Sequence, residues 1–149
     1  VNDFNFSKTD EFVMEFWTLP TTVTTNQWFL GKGTATTSCL KTTSGTNDLY
    51  LQNQGQAAFI GAPSALTSGV WQHVAIEQYN GTLKAYFGGV AKLSINVTAG
   101  FGANTNRLSM GGGYGVGYNC KGYIDQMRVS KIARYKGNFV PPTEPFGID

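Results

Sequence analysis

The stretch 70–97 sets two glycine turns between alternating apolar runs, and it constrains the fold more than any other part of the chain. Val74 and Ile76 share one face of the run that ends at Tyr79. Asn80 and Gly81 then supply the two positive-φ positions of a tight hairpin, and the run 83–87 returns. Gly88 and Gly89 repeat the signal before a third run over 90–97, so the segment predicts a three-strand antiparallel meander. Phe12, Met14 and Phe16 alternate with Val13, Glu15 and Trp17, the period of a strand covered on both faces. Further short strands are expected over 28–31, 49–52, 107–110 and 122–130, while 33–46 reads as strand edges and turns.

Composition agrees with this pattern. Only 13% of the 149 residues are charged, against about 25% in ordinary globular domains. The difference is made up by 19 Gly, 17 Thr and 11 Asn, which favour strands and turns over helices. Roughly nine short strands with frequent glycine turns predict an all-β fold of two packed antiparallel sheets. The chain is read as one domain over 1–149, with no internal repeat and a proline cluster at Pro141, Pro142 and Pro145. No apolar stretch approaches the roughly 20 residues of a spanning helix and no charged-then-apolar leader opens the sequence, so neither membrane insertion nor an intact signal peptide is expected. A net charge of +2 is far from the concentrated positive charge of phosphate-backbone binders, and nucleic acid is not an expected partner. Cys39 and Cys120 fit either one bridge between sheets or two buried thiols.

Four segments, taken in order, carry a resemblance: DFNFSKTDEFVMEFW, VWQHVAIEQYNGTLKAYFGG, RLSMGGG and GYIDQMRVSKIARYKGNFVPPTEPF. Together they resemble the laminin-G-like, concanavalin-A-like jelly-roll domain over nearly the whole chain. The closing words GYID, MRVS, ARY and NFVPPTEPF are similar to the version of this domain found in tailed-phage and other virion structural proteins. The resemblance implies a two-sheet jelly roll whose relatives mostly bind glycans or proteins, or decorate larger assemblies, without catalysis. It also implies an opening strand before residues 1–6 that is not in this sequence, so the expectation is a fragment of a longer chain, a domain lacking its first strand, or a strand supplied from elsewhere.

The candidate residues follow. In the loop GGGYGVGYNC, Tyr114, Tyr118 and Asn119 would present rings and an amide at a sandwich edge, the chemistry of sugar binding, or else pack on the body. The loop glycines fit neither GxGxxG nor a P-loop. Trp17, Trp28 and Trp71 are read as core, and Trp28 joins the binding candidates if its ring reaches the surface. Calcium is bound in many relatives through hard oxygen ligands, and Asn47 with Asp48 is the pair that would supply them here. His73 reads as a structural histidine. Glucanases of this architecture place an ExDxxE cluster on one strand, and the sequence has none. Glu15 reads as a lone buried acid, and Asp125 as the partner of Arg128 or of a turn. Lys121, Arg128, Lys131, Arg134 and Lys136 read as a solvated or interchain face. Asn5, Asn80 and Asn96 open N-x-S/T patterns that matter only in a eukaryotic host.

These readings converge on a non-enzymatic virion surface module that binds host or environmental glycans, at the virion surface or outside the cell. The alternative is a purely structural capsid-decoration or tail assembly protein that contacts copies of itself or other virion proteins through its termini and the adjacent sheet edge. A glycoside hydrolase is the least favoured reading.

Overall fold

The computed structural model describes residues 4–33, 38–44, 48–102, 107–113, 118–144 and 146–147. Among them run ten strands: β1 Phe12–Pro20, β2 Gln27–Lys32, β3 Ser38–Thr42, β4 Asp48–Asn53, β5 Gln56–Gly61, β6 Gln72–Tyr79, β7 Thr82–Phe87, β8 Val90–Asn96, β9 Leu108–Met110 and β10 Gly122–Ser130. A single 3-10 turn, Ala62–Ser64, separates β5 from β6. The strands form two five-stranded antiparallel sheets, β10-β1-β6-β7-β8 and β5-β4-β3-β2-β9, as the alternation and turn signals predict.

Both expected hairpins are present. Asn80 and Gly81 have φ of 47° and 69°, and Gly88 and Gly89 have 58° and 80°. This double positive φ matches the twist of the flanking strands. A third hairpin turns at Gln54 and Gly55, with φ of 47° and 84°, and joins β4 to β5. Glutamine in the first of those positions is a weak signal, and β5 was not expected from the sequence. β3 likewise lies inside the segment read as edges and turns.

The alternation of β1 sorts its side chains between two interiors. Phe12, Met14 and Phe16 face the second sheet and join Leu30, Leu40, Leu49, Leu51, Val74 and Ile76 in the main core. Each such burial contributes about 1.5–3 kcal/mol relative to exposure. The other face of the first sheet carries Val13, Glu15 and Trp17, and it is covered by the chain after β10. There Tyr135 and Phe139 stack with centroids 3.4 Å apart and close over Val13, Ala75 and Tyr86. Phe139 donates its amide to the Gly89 carbonyl at 2.9 Å, so the closing segment is stitched to the β7–β8 turn. From the closing segment, which was expected to offer docking contacts, Phe139 and Phe146 turn their rings to His73 of the first sheet. Strand β10 remains an edge, with Tyr123 and Met127 exposed.

Three tryptophans were expected in the core. Trp28 is buried, Trp17 is half-buried on the outer face of β1, and Trp71 is exposed. The reason for Trp71 is register: β6 begins at Gln72, which leaves Trp71 ahead of the strand and outside the main core cluster. No disulfide forms. Cys39 and Cys120 are free thiols, and burial pushes the Cys39 thiol up to about 11.

Candidate functional site

The outer face of the second sheet is the open face of the sandwich. Its register places Trp28 beside Lys41, Lys41 beside Tyr50 and Tyr50 beside Phe59, one residue per strand from β2 to β5. Tyr50 and Phe59 stack at 5.4 Å between centroids, with planes 28° apart. Phe59 is 63% exposed and Tyr50 is half-buried, so the pair presents a flat apolar surface to solvent. The Lys41 ammonium stands 5.5 Å from the Trp28 ring centroid. The neighbouring row across the strands is built of smaller groups: Ala57, Gln52, Cys39, Gly31 and Ser109.

The glycine-rich loop walls this face at its β2 end. Gly111 donates its amide to the Phe29 carbonyl at 3.0 Å, Cys120 closes back on the Gly111 carbonyl at 2.7 Å, and Trp28 donates its amide to the Tyr118 carbonyl at 2.9 Å. Lys121 donates its amide to Gln27 Oε1 at 2.9 Å. The loop therefore lies directly on Trp28. A Cβ on Gly113 would stand 2.3 Å from Cδ2 of the indole, and a Cβ on Gly31 would stand 2.6 Å from Cε3. Glycine is required on both sides of this ring because nothing larger fits.

Of the sequence candidates, Tyr118 and Asn119 lie at the exposed rim of the loop, and Asn119 bridges to Trp28 through the backbone. Tyr114 lies outside the described residues. Trp28 is only 4% exposed: its ring is the floor under the loop and offers no stacking face. The sequence reading missed Tyr50 and Phe59. Recognising Gln54-Gly55 as a hairpin turn would have set Phe59 opposite Tyr50 on one face.

For the metal pair, Asn47 lies outside the described residues, and Asp48 begins β4 opposite Gly61. Among the described residues, no three His, Cys, Asp or Glu side chains gather as a metal group.

The buried carboxylates serve the first sheet. Glu15 is fully buried and its oxygens are saturated: Arg128 donates through Nε at 2.9 Å and Nη2 at 2.7 Å to Oε1, while His73 Nε2 at 3.0 Å and the Tyr135 hydroxyl reach Oε2. Burial alone would raise this carboxyl. Hydrogen bonds from His73, Tyr135 and Arg128, with the Arg128 charge, outweigh it and hold the group below its ordinary value. His73 is structural on its Nε2 side, but its Nδ1 has no partner. Asp125 was expected to meet Arg128 or a turn. Its Oδ1 accepts the Gln126 amide at 2.8 Å, and the ion pair of Arg128 goes to Glu15 instead. The cause is a bulge: β1 pairs Glu15 with Arg128 but Trp17 with Asp125, and Gln126 takes φ 51°. Glu77 is also buried, and it accepts the amides of Tyr135 and Lys136 at 2.7 and 2.8 Å and the Tyr86 hydroxyl at 3.3 Å. The two carboxylates are spent on holding the closing segment.

Comparison with known proteins agrees with the architecture. A Bacteroides ovatus protein proposed to bind carbohydrate superposes with a TM-score of 0.70 at 22% identity, over 90% of this chain and 40% of that one. The carbohydrate-binding module CBM40 of the Ruminococcus gnavus IT-sialidase, solved with α2,3-sialyllactose, gives 0.63 at 18% identity over 89% and 88%. The enzymatically active domain of tailspike protein 2 from bacteriophage CBA120 gives 0.53 at 18% identity over 83% and 22%. At these identities the likeness is one of fold, and the chain spans well under half the length of the first and third of these proteins. No curated protein matches the sequence. Residues 1–136 match the concanavalin A-like lectin/glucanases superfamily, and the chain belongs to it.

Proposed function

We propose that the chain is a non-enzymatic glycan-binding module whose ligand lies on the outer face of the second sheet, between the Tyr50–Phe59 pair and the loop rim at Tyr118 and Asn119. The observation that carries this reading is the stacked, exposed Tyr50–Phe59 pair. The cross-strand stack adds only modestly to the stability of the sheet and leaves the outer face of Phe59 in solvent, and a sugar ring presents apolar C–H faces that such a surface can cover. Amides and hydroxyls at the rim, including Asn119, supply the directional contacts that a binding site adds to an apolar base. The carbohydrate-binding neighbours of the same fold support the reading.

Catalysis is not part of it. Glu15 and Glu77 have their oxygens engaged away from solvent, and a glycosidase needs two carboxyl groups facing one open cleft. A calcium ion near Asp48 and Asn47 remains part of the proposal as a factor to vary. A virion surface location draws its support from the closing sequence words and from the tailspike likeness of the fold. The architectural alternative is favoured by one observation, the open β10 edge with exposed Tyr123 and Met127, which suits pairing with another chain.

A glycan-array screen with and without calcium, followed by titration of the best ligand into the Phe59→Ala variant, tests the reading. Binding that weakens in the variant is the expected result. Absence of binding across the array in both conditions, or binding indifferent to Phe59→Ala, overturns it.

A further inference from the structure

On the opposite face of the sandwich, a recess of about 210 Å³ opens between the β6–β7 hairpin and the closing segment. From this recess we infer a second binding site, specific for the oxyanion group of a small acid or an acidic saccharide. Its position and chemistry are independent of the glycan reading of the second sheet.

Two lysines line the recess. Lys84 comes from β7 and Lys136 from the closing segment, and neither forms an ion pair among the described residues. Lys84 is paired across the strands with Glu77. That carboxylate spends its hydrogen bonds on the amides of Tyr135 and Lys136 and on the Tyr86 hydroxyl, and it leaves the recess with two cations against one anion. Thr82 and Asn80 add a hydroxyl and an amide to the rim, both able to donate to an oxyanion.

A second observation concerns the placement of Lys136. Lys136 has φ 57°, a conformation that a residue with a long side chain seldom adopts. Its amide is held there by Glu77, and its ammonium is held 5.1 Å from the Tyr79 ring centroid, at the mouth of the recess. With Lys84 lining the same recess, the two lysines form a pair of cations that a carboxylate, sulfate or phosphate group can bridge.

The test is an amide-resolved NMR titration of the whole chain at constant ionic strength with inorganic sulfate, inorganic phosphate, acetate, glucuronate and glucose. Saturable shifts confined to residues 79–86 and 135–137 are expected with the anions and not with glucose. Lys84→Gln and Lys136→Gln should each weaken binding about tenfold, with the remaining spectrum unchanged. Thr82→Val, which leaves the charges in place, should weaken it about threefold. Tighter binding of glucuronate than of acetate assigns the oxyanion to a saccharide, and equal binding assigns it to a free acid. Shifts spread evenly over surface lysines such as Lys92 and Lys131, or affinity unchanged in both lysine variants, overturn the site.

Discussion

The Tyr135 hydroxyl bonds to the buried Glu15 carboxylate, joining the segment after β10 to the second strand of the first sheet. The same tyrosine gives its backbone amide to Glu77 at 2.7 Å, so one residue is held by two carboxylates on adjacent strands. Removing Glu15 leaves the buried His73 and the largely buried Arg128 without their acceptor. Glu15→Ala should cost about 3–5 kcal/mol, the range for breaking one side of a buried ion pair. Tyr135→Phe keeps the ring stack with Phe139 and should cost about 1.5 kcal/mol, the low end for a hydrogen bond to a charged group. Urea denaturation of both variants checks the order. Equal stabilities for Glu15→Ala and the parent chain would remove the network from any account of the fold.

Acid should loosen the same network. The folded Glu15 carboxyl lies below its ordinary value of 4.5, so the native state binds its proton less readily than the unfolded chain does. Its contribution is complete above that ordinary value and is lost as pH falls through the lower, folded value. Urea midpoints for the parent chain should therefore drop more steeply below pH 4.5 than those of Glu15→Gln, which has no proton to gain at this position. Parallel pH profiles for the two proteins would contradict the assignment.

Trp28 gives the loop a spectroscopic reporter. Its indole lies between Gly31 and Gly113 with no room for a Cβ on either side. Gly31→Ala should cost about 1–3 kcal/mol, because the strand cannot move away from the ring. Gly113→Ala should instead lift the loop, with a smaller loss of stability and a red shift of tryptophan emission as the ring meets water. An unshifted spectrum in Gly113→Ala would mean that the loop does not close over Trp28 in solution.

How much of this is legible in the sequence differs by element. Asn80-Gly81 and Gly88-Gly89 announce their turns because both positions require positive φ, and they hold in the structure. Gln54-Gly55 makes the same turn with a residue that does not advertise it, and Tyr50 and Phe59 were lost with it. The exposure of Tyr118 and Asn119 at a sandwich edge was expected from residue type alone. The partner of Arg128 was not, since one extra residue in β10 shifts the register and brings Glu15 in place of Asp125. The role of Glu77 leaves no trace in a sequence, because its partners include backbone amides 58 and 59 positions away.

The proposed binding face makes a prediction about ligand length. Phe59 stands on β5, and Tyr118 lies beyond β2, on the far side of β4 and β3. At about 4.8 Å per strand spacing the two are roughly 19 Å apart, too far for one sugar ring to touch both. A monosaccharide that binds should respond to Phe59→Ala or to Tyr118→Ala, and not to both. A linear oligosaccharide long enough to cross the sheet should respond to each. Loss of one aromatic contact is worth about 1 kcal/mol, or about fivefold in affinity. The effects should add in the double variant, since sites this far apart share no partner. Phe59 is 63% exposed, so its removal should leave thermal stability nearly unchanged and separate binding from folding. Calorimetric titration with ligands of increasing length reads all of these. Affinity that rises with length but stays insensitive to Tyr118→Ala would move the ligand off the loop rim and onto the sheet alone.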